Sequence, residues 1–407
     1  MRSAWIVPAV LVLASQSPAA DWPQFLGPNR DSTTPEIVKA WTEKPKELWK
    51  KEVGEAHSSP IVANGVVYAF AKVKGKEAEA LSAYDAKTGE LKWEKSYERP
   101  KFRPPFGEGP RGTPTFSGDS VYTIGSTGIL VRWDAKSGDL KWQVDTLKEF
   151  GAKNITFGIS TSPTVVGKHA ILMVGGKGAG IVGFDIETGK VAWQATDDGA
   201  SYASPILSGS KNPELVFLTA SHVRALSADT GKETWKLPFV DKLLESSTTP
   251  VKIGELYVAG SVTVGSIALK IENGEAKQVW KNPKLTCYFS TPVAVGDDLY
   301  MVNGEATFPG GTLILRCVDS KTGDIRWEKK DVGTYHAALV KTGDGKLLMH
   351  DDRGSLQLIE PNAKEYKELA KAKLCGETWA HPAISDGALY IRDNKYLYAF
   401  ELTPKAK

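Results

Sequence analysis

One phrase recurs along this chain, and it restricts the fold more than any other feature. A small or polar pair leads to a proline, then an apolar run, an Asp-x-x-x-Gly turn and a tryptophan. The leading positions are Pro60, Pro114, Pro163, Pro205, Pro250, Pro292, Ala338 and Pro382, spaced 42 to 54 residues apart. Full turns read Asp85 to Gly89, Asp134 to Gly138, Asp185 to Gly189 and Asp319 to Gly323, with Asp229-Thr230-Gly231 as a shortened version. Trp93, Trp142, Trp193, Trp235 and Trp327 each follow a turn glycine by four residues, and Trp280 marks a sixth unit.

Each element has a physical reading. Runs such as Val66-Val67-Tyr68-Ala69-Phe70 are short, apolar and bounded by turn residues, so they read as strands. Asp and Thr side chains fold back onto the turn backbone, and Gly takes the left-handed conformation there. Each unit therefore holds about four strands, and four strands repeated at this period predict a propeller. The last unit, Pro382 to Phe400, has no tryptophan strand of its own, whereas Trp49 precedes the first unit. The expectation is an all-β, eight-bladed propeller of four-stranded antiparallel blades. The Trp49 strand completes the last blade, and Tyr366 to Ala372 serves as a degenerate outer strand of blade seven. Seven blades is the alternative. The expected organisation is a signal peptide over 1–20, a leader over 21–45 and the propeller over 46–403.

The export reading rests on Arg2, an apolar stretch from Ala4 to Ala14, and the small residues Ser17-Pro18-Ala19-Ala20. That stretch is too short to span a bilayer, and no cysteine follows it for lipidation. A periplasmic or secreted protein is expected. Cys287, Cys317 and Cys375 are odd in number and read as buried free thiols. With 51 basic and 48 acidic residues, net charge is +3, which gives no electrostatic case for nucleic acid. A monomer with no membrane span after signal cleavage is expected.

The phrases "AYDAKTGELKW", "RWDAKSGDLKW", "GFDIETGKVAW" and "CVDSKTGDIRW" resemble the tryptophan-docking phrase of the pyrroloquinoline-quinone (PQQ) repeat propellers. The chain is also similar to the BamB-like barrel-assembly accessory propellers, and Asp21 to Arg30 resembles a leader of secreted PQQ-like propellers. The resemblance runs from about Trp22 to Phe400. It implies that Trp49, Trp93, Trp142, Trp193, Trp235, Trp280 and Trp327 pack against a neighbouring blade. Quinoprotein dehydrogenases of this family use a vicinal cysteine pair, a metal held by carboxylate and amide, and a catalytic aspartate. This sequence has no adjacent cysteines and no Cys-x-x-Cys-His haem motif. The sugar-dehydrogenase type lacks the cysteine pair as well.

Catalytic signatures are missing too: the sequence has no P-loop, no Gly-x-Ser-x-Gly elbow and no zinc-type histidine pair. Gly175 to Gly180 sits between two strands and reads as a hairpin. In a propeller, the loops entering the Pro-led strands converge on the axis, opposite the Asp-x-x-x-Gly turns. They carry His57, Arg111, Tyr202, Glu245, Tyr288, Phe289, Tyr335, His336, Trp379 and His381, the expected ligand or partner face. Arg111 and Glu245 offer charge and the aromatics offer stacking surface. The loop Tyr97 to Gly112, rich in Arg, Pro and Phe, reads as a partner flap. Gly304 to Gly311 is a smaller insertion on the same face. The expected function is a non-catalytic scaffold for a protein partner or ligand in the cell envelope, with no cofactor, no metal and no catalytic residue. The alternatives are a PQQ-dependent oxidoreductase with a divalent metal, and a carbohydrate-binding propeller that recognises polysaccharide.

Overall fold

A computed structural model describes residues 21–209, 211–304 and 311–403. The expected signal peptide and most of the Gly304 to Gly311 insertion lie outside these residues. Thirty-two strands form eight separate four-stranded antiparallel sheets, and Thr146–Glu149 is the one helix among the described residues. Eight blades are therefore present, not seven.

Blade one shows the plan: Ile61–Ala63, Val66–Lys72, Ala78–Asp85 and Leu91–Glu98 run from the axis outward. Seven of the leading positions are prolines, and the inner strand after each is three residues long, as in Thr115–Ser117 and Thr164–Val166. Proline has no N–H to donate to a ladder, so pairing begins only after it. Blade seven has Ala338 instead, and its inner strand lengthens to Ala337–Lys341. Its outer strand is Glu368–Lys373, within a residue or two of the expected segment.

The ring closes as the repeat count requires. Glu47–Glu52 pairs with Tyr396–Glu401 of blade eight, with Trp49 opposite Ala399. Every outer strand also carries a register shift beside the tryptophan position, for example between Ala83 and Tyr84 opposite Trp93. Such a bulge turns the indole out of its own sheet and toward the next blade. Its partner there is the turn glycine: a Cβ on Gly89, Gly138, Gly189, Gly231 or Gly323 would come within 2.7 Å of the ring of Trp49, Trp93, Trp142, Trp193 or Trp280. The indole N–H then donates to a turn carbonyl, from Trp49 to Ala86 at 3.0 Å, Trp142 to Ile186 at 2.8 Å and Trp280 to Ser320 at 2.8 Å. Trp327 finds Asn362 at 2.6 Å, whereas Trp235 packs on Tyr257, with ring centroids 5.4 Å apart. In blade seven Ala370 holds the tryptophan's place in the register.

One sequence expectation changes in detail. The turn before Trp235 is not shortened. Ser227 stands where other blades have Asp, and the Gly231 N–H still returns to the Ser227 carbonyl at 2.9 Å. The three cysteines are buried and unpaired, as expected.

The leader does more than precede the ring. Trp22 bridges Val62 of blade one, and the Pro23 carbonyl accepts from Phe116 of blade two. Arg30 reaches the Pro163 and Pro205 carbonyls of blades three and four. Thr33 pairs in parallel with Lys341, on the lengthened inner strand of blade seven. Glu36 then takes the N–H groups of Gly343 and Gly387 in blades seven and eight. The leader thus plugs the lower end of the channel, with Trp22, Leu26 and Val38 fully buried.

Candidate functional site

The upper end of the channel is built from the loops entering the eight inner strands. Near the axis their backbone N–H groups have no sheet partner, and a buried N–H needs one. The hydroxyl just before five of the seven prolines, those of Ser59, Thr113, Ser162, Ser204 and Thr291, supplies it from the neighbouring blade. Ser59 N–H donates to Thr113 Oγ1 at 3.2 Å, Thr113 N–H to Ser162 Oγ at 3.0 Å, and Ser162 N–H to Ser204 Oγ at 2.9 Å. Across the closure seam His381 N–H donates to Ser59 Oγ at 2.8 Å. The polar residue before the proline is thus a blade-to-blade clasp in most repeats, whereas the Thr249 hydroxyl is left without a partner.

Above this collar lies a cavity of about 130 Å³ to which all eight blades contribute. Seven of the ten expected residues line it: His57, Arg111, Tyr202, Phe289, His336, Trp379 and His381. Tyr335 sits at its edge, its ring centroid 5.7 Å from that of Trp379. Glu245 and Tyr288 are not lining residues. Tyr288 donates its hydroxyl to Glu245, and Glu245 lines a separate cleft beside Gly175 and Gly176.

Arg111 does not offer the free charge that its position suggested. Its guanidinium donates to the carbonyls of Gly109 at 3.1 Å, Gly107 at 3.1 Å and Pro105 at 2.9 Å, so it braces its own loop. That loop is further pinned by Arg103 to Glu77 at 2.5 Å and Glu108 at 2.8 Å, and by Lys72 to Glu108 at 3.1 Å. The result is to hold Phe106, at φ 63°, over the mouth.

Phe106 and two further aromatics escaped sequence reasoning. Phe106 lies 5.3 Å from Trp379 and 5.9 Å from Phe157, ring centre to ring centre. Trp379 stacks on Phe289 at 5.3 Å and on His57 at 5.1 Å. Phe25 of the leader forms the floor and meets His381 edge-on at 5.0 Å. The phenylalanine in the long 97–112 loop was the one available signal for Phe106; nothing in the sequence placed Phe25.

The histidines carry the polar chemistry. Burial lowers all three imidazoles, His57 to about 4, and keeps them neutral at pH 7. His57 Nε2 donates to the Phe106 carbonyl at 2.6 Å, and His336 Nδ1 to the Phe289 carbonyl at 2.8 Å. A carbonyl only accepts, so each bonded nitrogen bears the proton and the opposite one is an acceptor. Those opposite atoms, His57 Nδ1 and His336 Nε2, are buried without a partner, as is His381 Nδ1. The cup therefore joins an aromatic wall to unused acceptors. Among the described residues no three His, Cys, Asp or Glu side chains come together to hold a metal ion.

Comparison with known proteins agrees with the fold. The family described as "Outer membrane protein assembly factor BamB" matches residues 30–237 and 219–404. The Yersinia pestis protein of that name is 25% identical over 258 residues, covering 59% of this chain and 61% of that protein. Across the curated relatives matched, the chain spans 19% to 63% of their length. BamB from Moraxella catarrhalis superposes with a TM-score of 0.61 at 16% identity, covering 88% of this chain and 99% of that one. A europium-containing methanol dehydrogenase superposes at 0.67 with 12% identity, covering 94% and 98%. At such identities the superpositions speak to fold alone. By its repeats, its closed ring of eight blades and the extent of the family match, the chain belongs to the PQQ-repeat propeller family described as outer membrane protein assembly factor BamB.

Proposed function

We propose that this chain is a non-catalytic scaffold of the cell envelope whose upper cup receives a group from a protein partner. The observation that carries the reading is the pairing of an aromatic mouth with buried, unpartnered imidazole acceptors. An unpaired buried acceptor is costly, and an incoming N–H or O–H donor relieves that cost. The group received has an apolar body and a donor tip, such as a tyrosine, tryptophan or lysine side chain. Aromatic anchors of this kind are the usual source of interface affinity. Family membership and the export-type N-terminus support an envelope location. No helix among the described residues is long and apolar enough to cross a membrane.

The fold family also implies a quinone cofactor, and the residues here do not fit it. Pyrroloquinoline quinone carries three carboxylates and is held with a divalent cation. The cup offers one cationic side chain, Arg111, already committed to three carbonyls, and no carboxylate lines it. No step is assigned to that cofactor. Carbohydrate hydroxyls share the donor chemistry, which makes them the competing occupant.

A photo-crosslinking residue at position 106, compared with one at Leu207 on the opposite side, tests the reading in the native envelope. A discrete protein adduct is expected from 106 alone and is lost with Trp379→Ala. Equal labelling from both positions, or glycan-array binding with no protein adduct, overturns it. Quinone absorbance appearing on addition of the cofactor with calcium overturns the non-catalytic part.

A further inference from the structure

Arg30 places a positive charge inside the ring with no carboxylate among its hydrogen-bond partners. The residue is 2% exposed. Nε donates to Gln24 Oε1 at 2.8 Å, Nη2 to the Pro163 carbonyl at 2.6 Å and Nη1 to the Pro205 carbonyl at 3.4 Å. A guanidinium has about five N–H groups, so two of them stay uncommitted. All its partners are neutral. Burial alone pulls its pKa down to about 9, with no acid offsetting it. The adjacent Asp31 turns its Oδ1 to Thr33, accepting from the backbone N–H at 3.1 Å and from Oγ1 at 2.6 Å.

The backbone here is strained as well. Leu26, Arg30 and Ser32 all adopt left-handed φ, at 62°, 56° and 58°. Side-chain-bearing residues avoid that region unless their surroundings hold them there, and clusters of them mark functional segments.

The leader's path leaves a gap beside this residue. It is fastened to blades one to four and again to blades seven and eight. Between its tip and the inner strands of blades four, five and six lies a cavity of about 410 Å³, lined by Arg30, Asn29, Asp31, Leu207, Lys252 and Thr291 among others. Lys252 is exposed at its edge. Its Nζ lies 3.1 Å from Ser208 Oγ and 5.3 Å above the Tyr257 ring, both neutral groups.

We propose that this lower cavity is an anion site that takes a small oxyanion, carboxylate or phosphate, on the remaining N–H groups of Arg30 with Lys252 at the rim. A buried guanidinium lacking a counter-charge is poised for such a group, because the charge-assisted bonds it forms are the strong ones. The site is at the opposite end of the channel from the cup and does not depend on what the cup binds. The competing account is that Arg30 merely pins the leader to two carbonyls.

Calorimetric titration of the full chain with inorganic phosphate, and separately with acetate, decides between them. Ionic strength is held constant with sodium chloride. Saturable binding of at least one of the two is expected. Lys252→Met, at an exposed position, weakens it at least fivefold, and Asp31→Asn, which removes the one acid in the lining, tightens it severalfold. Arg30→Gln abolishes it; if that variant does not fold, the two exposed substitutions carry the decision. Heats no different from chloride, or affinities unmoved by both Lys252→Met and Asp31→Asn, overturn the proposal.

Discussion

The two ends of the channel are bounded by the same eight inner strands and finished in opposite ways. The lower end is closed largely by backbone: leader amides and carbonyls pair with blades one, two and seven, the Glu36 carboxylate takes Gly387 of blade eight, and Trp22 and Leu26 fill the space. The upper end is furnished with side chains, and three of its imidazole nitrogens are left without partners. A region that satisfies its own polar groups gains stability and offers little to a visitor. A region that leaves them unsatisfied gives up stability in the free state and recovers it on binding. The lower end repeats this contrast on a smaller scale, at the sector the leader does not cover.

Removing residues 21–38 strikes hardest at the contrast. Trp22, Leu26 and Val38 are buried, and at about 1.5–3 kcal/mol each their loss costs roughly 5 kcal/mol or more. Chemical denaturation reads this; a loss below about 2 kcal/mol means the leader is an accessory and the lower end is not structural. Trp22→Ala alone is expected to cost about 3–5 kcal/mol by the same measurement. Acidification acts next and at the upper end. The folded pKa of His57, near 4, lies below its unfolded value, so the unfolded chain binds the proton first. Its contribution is fully present above about pH 6.5 and is lost as pH falls toward 4. His336 and His381 shift in the same direction, so urea midpoints should fall over that window. His57 is partly exposed, which screens its share. A midpoint that is flat with pH, or unchanged in slope by His336→Gln with His381→Gln, removes the imidazoles from the argument. The smallest effect is expected from Phe106→Ala: within about 0.5 kcal/mol in stability, because the residue is 41% exposed, yet with loss of the partner that the unaltered chain pulls down from its native envelope. A large destabilisation would make Phe106 core rather than mouth.

The ring was readable in the sequence because each repeated residue has a separate physical task. Proline delays the ladder, the Asp-x-x-x-Gly turn leaves room for an indole, and the tryptophan fills that room from the preceding blade. Where one member is replaced the reading depended on counting, as with Ala338 for proline and Ala370 in the tryptophan's place. Ser227 in the aspartate's place was misread as a shorter turn. Most of the cup followed from position alone, since residues that enter inner strands must face the axis. What could not be read was whether a side chain already had a partner. Arg111 is used up by carbonyls within six residues of it, and Glu245 by Tyr288. The plug was hidden for another reason. It has no periodicity, and its contacts join residues as distant as Ser32 and Leu339.

The strand that seals the disc joins the two most distant parts of the propeller, with Trp49 opposite Ala399 and its indole on the turn of the first blade. A chain still emerging in sequence order holds this strand early but has nothing to zip it to until the last hairpin arrives. Until then two raw sheet edges face solvent, the condition in which β-proteins stick to one another. Maturation therefore has a single late commitment point. Clipping even the final Tyr396–Glu401 strand would not shave one blade but would leave the whole disc unlatched.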